Sequence, residues 1–152
     1  MTSFGGATLK PRSAKDECEV LLNAVMPFAQ QMLSKNRAFF PFGATLSLEG
    51  KVAATASWTG EDHPDANALI ELLEGGFRQG AREGRYKATA LAVDIRTIPP
   101  GKDKKQDAIQ VRLDHRDGYS ARVIFPYTFS VGGALLVEEP FAIPGEKAIF
   151  GH

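Results

Sequence analysis

Across residues 39–58 the chain alternates twice in period two, and few backbones accept that pattern. Phe42, Ala44, Leu46 and Leu48 are apolar at every second position, with Gly43, Thr45 and Ser47 between them. After Gly50 the alternation resumes as Val52, Ala54, Ala56 and Trp58 against Thr55, Ser57 and Thr59. Successive side chains of a strand point to opposite sides, so each run reads as a strand with one apolar face and one hydroxyl face. Together they make a hairpin, and parity sets its register. A two-residue turn at Glu49–Gly50 would pair even positions with odd ones and bring opposite faces together. A three-residue loop, Leu48–Glu49–Gly50, pairs Leu46 with Val52 and Ala44 with Ala54. It also puts Gly50 at the left-handed position of a type I turn plus bulge.

Helices are expected on either side of this hairpin. Ser13 can cap one, with Asp16 to answer it in a capping-box variant. Cys18, Leu21, Leu22, Val25, Phe28, Ala29, Met32 and Leu33 follow on one helical face, ending near Asn36. Pro27 lacks an N–H and crowds the preceding turn, which predicts a kink or two abutting helices. A second helix is expected from Pro64, with His63 as its extended cap residue. Its apolar stripe is Ala66, Leu69, Ile70, Leu73, Phe77 and Ala81. Gly76, Gly80 and Gly84 lie on or beside that stripe, and a glycine inside a helix costs roughly 1 kcal/mol. Their presence predicts close approach to a flat surface, for which the Ala44, Ala54 and Ala56 face is the candidate. The alternative is that Gly75–Gly76 breaks the helix.

Residues 86–98 read as a long strand, with Leu91, Val93 and Ile95 on one face and Ala92, Asp94 and Arg96 on the other. Residues 99–107 form a charged loop. Ile109, Val111 and Leu113 then alternate with Gln110, Arg112 and Asp114, and Tyr119, Ala121, Val123 and Phe125 continue the apolar face beyond the turn Arg116–Asp117–Gly118. Parity again selects a three-residue loop, pairing Leu113 with Ala121 and Val111 with Val123. Pro126 limits central pairing of that strand. The expected fold is α+β: two layers, a roughly five-stranded, mainly antiparallel sheet, and two principal helices on one face, in the order α-β-β-α-β-β-β. Residues 1–12 read as a loose segment, 13–131 as one domain, and 132–152 as an extended tail packed on it.

Composition narrows the function classes. Apolar content of 43% and charged content of 24% are those of an ordinary soluble globular protein. Eighteen basic and eighteen acidic residues balance, so no bulk charge draws nucleic acid or anionic membrane. Apolar runs are too short to span a bilayer, residues 1–11 lack the apolar core of a secretory signal, and Cys18 is the single cysteine. A cytoplasmic location is the expectation. His63, His115 and His152 have no metal-ligand spacing, and no P-loop, G-x-S-x-G elbow or C-x-x-C is present. No metal and no cofactor are expected, and the reading leans away from an enzyme. Cys18 and Trp58 read as core residues, His115 as a half-buried structural histidine, and Glu138–Glu139 as solvated acids. Phe39–Phe40–Pro41–Phe42 and Phe125–Pro126–Tyr127 read as core edges.

His63–Pro64–Asp65 opens a helix directly after a hairpin. In layout, residues 38–100 resemble the zinc-dependent nucleoside and nucleobase deaminases, where His-x-Glu opens such a helix and a later strand leads into Pro-Cys-x-x-Cys. The corresponding place here, Ile98–Pro99–Pro100–Gly101–Lys102, holds neither cysteine nor histidine. The element order also resembles the roadblock and profilin-like group of small interaction domains, which would imply a dimerising scaffold.

The charged positions of the later strands supply the remaining candidates. The hairpin register sets Arg112 opposite Arg122, and like charges directly opposed are destabilising unless compensated. Asp114 shares their face, and Asp94 and Arg96 are expected there too. An anionic small molecule held among Arg96, Arg112, Arg122, Asp94 and Asp114 is one reading, since guanidinium forks suit bidentate acceptors. A solvated Arg/Asp network is the plainer one. The first expectation for function is a non-enzymatic interaction or scaffold module acting as a homodimer or with a protein partner, through a sheet edge or the polar face. The alternatives are an anionic-ligand binder on the arginine face and an enzyme with a site near His63 and Asp65.

Overall fold

A computed structural model of the protein describes residues 12–56 and 64–151. The expectations for residues 1–11, Ser57, Trp58, Thr59, His63 and His152 lie outside the described residues. The chain forms α1 (Ala14–Asn36), β1 (Phe42–Ser47), β2 (Val52–Thr55), α2 (Ala66–Arg82), β3 (Tyr86–Thr97), β4 (Gln106–His115), β5 (Ser120–Phe129), β6 (Leu135–Val137) and β7 (Phe141–Pro144). All pairing is antiparallel, in the order β2-β1-β3-β4-β5-β6, with β7 also on β5. The sheet therefore has seven strands rather than about five. The two extra ones come from the tail, where β6 and β7 pair successive halves of the outer side of β5.

Both hairpin registers follow the parity rule. Leu46 faces Val52 and Ala44 faces Ala54, around a loop closed by Gly50 at φ 92°. Leu113 faces Ala121 and Val111 faces Val123, around a loop closed by Gly118 at φ 97°. A side chain at either glycine would be strained in that left-handed conformation. Pro126 sits opposite Ala108 at the end of the β4–β5 ladder, where its missing N–H costs little.

The helices depart from expectation. They do not share a face; the sheet lies between them. On one face Cys18, Leu21, Val25, Ala29 and Leu33 of α1 bury against Ala44, Leu46, Ala88, Ala90, Ala92, Ile109, Val111 and Leu113. On the other, Leu73 and Phe77 of α2 pack on Leu91 and Val93, with Ile149 closing the cluster. The architecture is thus three layers, and β3 is buried on both sides along residues 88–93. Small alanines alternating with large aliphatics let two helices sit on one strand.

Helix α1 carries the expected capping box between Ser13 and Asp16 and ends at Arg37, in the left-handed conformation. It runs unbroken through Pro27, which with Asn23 is exposed, so water can take the carbonyl that proline leaves free. Helix α2 begins at Ala66, two residues later than expected, and is capped by Asp65, whose carboxylate accepts the Ala68 N–H. It continues through Gly75 and Gly76. Its glycines do not face the alanines of β1 and β2, which belong to the α1 side. The close approach is at Gly80, where a Cβ would overlap the Tyr86 ring. The Tyr86 hydroxyl donates to the Phe77 and Gly76 carbonyls, fastening the end of α2 to β3.

Candidate functional site

Arg112, Arg122 and Asp114 do come together, on the α2 face. Arg112 lies opposite both Leu91 and Arg122, and cross-strand partners share a side. The repulsion between the two arginines is answered by separate acids. Arg112 Nη1 donates to Glu74 of α2 at 3.2 Å and its Nε to Gln110 at 2.9 Å. Arg122 pairs with Glu146 of the tail at 2.9 Å. Ser120 donates to Asp114 at 2.9 Å, and burial pushes that carboxyl above its usual range despite this bond. The space enclosed among these groups is about 10 Å³, room for no more than a single water.

Asp94 and Arg96 are elsewhere. Asp94 pairs with Ile109 across the ladder, which puts it on the α1 face. It accepts the Tyr127 hydroxyl at 2.7 Å, and burial raises its pKa although the hydroxyl and the Phe39 N–H work the other way. Tyr127 is raised too, by burial and by the carboxylate it serves. Arg96 makes a loose, exposed pair with Asp107 at 3.6 Å. The five candidate residues therefore do not form one site. Apolar residues on both faces of β3 hide which side its charges take.

A third polar cluster joins residues far apart in sequence. A register shift between Leu46 and Ser47 makes Lys87 an extra residue in β3. Beyond this bulge the sides exchange. Tyr86 turns to Phe77 of α2, while Lys87 reaches Glu17 of α1. His115 is buried to 2% and its Nε2 lies 2.9 Å from Glu17. Its Nδ1 accepts the Asp117 N–H, so Nε2 carries the proton and donates. Burial opposes the Glu17 charge, but the bonds from Lys87 and His115 outweigh it and hold the carboxyl below its usual range. Beside this cluster burial pushes the Cys18 thiol up to about 12, so it is an inert core group. Among the described residues no group of three or more His, Cys, Asp or Glu is placed to hold a metal ion. None of the described helices is long and apolar enough to cross a membrane.

Among the described residues one open sheet edge lies at the first hairpin. Both helices lie over the interior strands, α1 on β1, β3 and β4 and α2 on β3 and β1, so β2 overhangs them. Among the described residues β2 has a strand neighbour on one side only. The Ser47 N–H donates to the Lys51 carbonyl at 2.8 Å, which makes 47/51 a hydrogen-bonded pair. Such pairs alternate, so Thr45/Ala53 and Gly43/Thr55 bond inward. The N–H and C=O groups of Val52 and Ala54 accordingly point away from the sheet. Above this edge, on the α1 side, lies an open apolar groove of about 400 Å³, lined by Val25, Phe28, Phe42, Ala44, Val52 and Ala54. Phe28 stacks edge-on against Phe42 at 4.8 Å but stays 49% exposed, and Val52 is 41% exposed. Periodicity assigns Phe28 to the core face of α1. What it misses is that β2 falls outside the helix footprint, leaving Phe28 at the border. Comparison with models of protein families, with curated proteins and with solved structures finds no match to this chain.

Proposed function

We propose that this chain is a non-enzymatic interaction module that works as a homodimer through the β2 edge and the groove above it. One observation carries the reading: the two ends of the sheet are treated differently. The far end is closed by β6 and β7, short strands set among Glu138, Glu139, Pro140 and Pro144. Charges and prolines are among the devices by which proteins keep sheet edges from pairing, and strand length does not separate the two ends, since β2 is as short as β7. The near end, Val52–Ala53–Ala54–Thr55–Ala56, follows Lys51 but has neither charge nor proline of its own, and among the described residues its outer backbone is unpaired beside an apolar groove. An anionic ligand between Arg112 and Arg122 would first have to displace Glu74 and Glu146. The edge needs no such displacement.

Because β2 is short, the association should be reversible. Static light scattering across a wide concentration range should show the mass rising from one chain to two. Ala54→Pro removes an outward N–H without removing one used toward β1, and it should hold the protein at one chain while preserving its circular dichroism. A wild type that stays at one chain throughout, or an Ala54→Pro protein that dimerises equally well, contradicts the proposal.

A further inference from the structure

We infer that His115 is a proton-driven switch in the β4–β5 turn: neutral, its ring accepts the Asp117 N–H; protonated, it releases that N–H and donates to the Asp117 carboxylate instead. This device is separate from the β2 edge and stands whether or not two copies pair there. A neutral imidazole has one donor and one acceptor nitrogen, whereas an imidazolium has two donors. Nε2 of His115 already donates to Glu17 at 2.9 Å, and Nδ1 accepts the Asp117 N–H at 3.0 Å. A further proton can therefore enter the ring only at Nδ1, where it meets another donor. Two N–H groups cannot share a hydrogen bond, so the Arg116–Asp117 peptide has to turn its N–H away.

Charge decides what replaces it. From α1, Glu17 faces the ring, with Cys18 beside it; from β3, Lys87 shares Glu17. The hairpin itself carries Asp114, Arg116, Asp117 and Tyr119. Burial shifts the Cys18 thiol and the Tyr119 phenol upward, and both stay neutral. Asp114 accepts the Ser120 hydroxyl on the α2 face. Arg116 is exposed and donates its backbone N–H to the Lys87 carbonyl. Glu17 and Lys87 cancel, so a proton on His115 leaves one net positive charge at a ring that is 2% exposed. A buried charge needs a partner. Asp117 is the acid in reach: its Oδ2 lies 3.7 Å from Nδ1, and its side chain is 68% exposed and has room to move. Closing by about 1 Å brings it to the distance of a charge-assisted hydrogen bond. The exchange stays local. The His115 N–H donates to the Tyr119 carbonyl at 2.8 Å and the Gly118 N–H to the His115 carbonyl at 3.0 Å. Neither bond uses the ring, so the hairpin holds while one peptide rotates. Gly118, at φ 97°, is the neighbour able to absorb that rotation.

An NMR titration of the full chain from about pH 8 to pH 5, the span in which imidazoles take up protons, tests the switch, with the three histidine rings assigned. As the His115 ring takes up its proton, the Asp117 amide should lose protection from exchange by about tenfold after correction for the intrinsic rate, roughly the factor that one hydrogen bond carries. The Gly118 amide should keep its protection through the same step. Asp117→Asn retains the backbone N–H and removes the carboxylate, at an exposed turn position where asparagine before glycine is well tolerated. In that variant the ring and the amide should change together at a lower pH than in the wild type. An Asp117 amide that stays protected while the ring titrates would overturn the switch. So would a ring that stays neutral until the chain unfolds, or an Asp117→Asn protein whose transition has not moved.

Discussion

Replacing Lys87 by methionine should destabilise the protein by about 2–3 kcal/mol, somewhat below the 3–5 kcal/mol that removing one partner of a fully buried ion pair costs. The pair is not entirely dry: the Lys87 and Glu17 side chains retain 16% and 12% of their exposure. Methionine keeps the length of the stem but leaves Glu17 with His115 as its remaining side-chain partner. The loss should depend on pH in a definite direction. The Glu17 pKa is lowered from 4.5 in the folded state, so the stability it contributes is complete above 4.5 and fades as pH falls through the folded value. The variant lacks much of that contribution. The gap between wild type and variant should be widest near neutral pH and should narrow below about 4.5. Asp94 and Asp114 are shifted upward, with the opposite sign: they favour the folded state at low pH and lose that contribution as pH rises through their folded values. They are common to both proteins and cancel in the difference. Urea unfolding at pH 7 and pH 3 reads it. An equal gap at both would show that Lys87 acts by packing alone.

Gly43→Leu should cost about 2–3 kcal/mol, the upper part of the range for overfilled cores, and lower the melting temperature by roughly 5–10 °C. A Cβ at Gly43 would come within 2.5 Å of the Ala90 carbonyl oxygen and 2.7 Å of the Phe77 ring. The ring could tilt; the carbonyl belongs to the adjoining strand and cannot. Gly76 is the contrast, because a Cβ there meets nothing within 4 Å. In a helix interior Gly76→Ala should stabilise by about 0.5–1 kcal/mol. If calorimetry found the two substitutions alike, α2 would not be pressed against β1 at that point.

This contrast also marks how far the sequence can be read. Strand parity was enough for both hairpin registers, because each loop closes on a glycine that must adopt positive φ. The same parity misled about layers. Leu91, Val93 and Ile95 look like the one apolar face of the strand, with Ala92 set among the charges of the other; in the fold Ala88 and Ala90 lie on that second side as well. In the fold those alanines are the bed of α1, and the larger residues are the bed of α2. Once β3 is buried on both sides, Asp94 and Arg96 no longer share a face with Arg112, and the candidate ligand site divides. The Glu17–Lys87–His115 cluster has no local signature, since it depends on a bulge and on residues nearly a hundred positions apart. The open edge was half legible: its small, uncharged alternation is in the sequence, but its place outside the helix footprint is set by packing.

Amide exchange resolved by residue addresses the proposed β2 interface most directly. Within β2 the N–H groups of Ala53 and Thr55 bond inward to β1, and those of Val52 and Ala54 point outward. Measured by NMR at a low and a high protein concentration, Ala53 and Thr55 should be protected at both. Val52 and Ala54 should exchange freely in the dilute sample and slow markedly in the concentrated one. Val52 and Ala54 amides that exchange equally fast at both concentrations would contradict pairing of two copies through this edge.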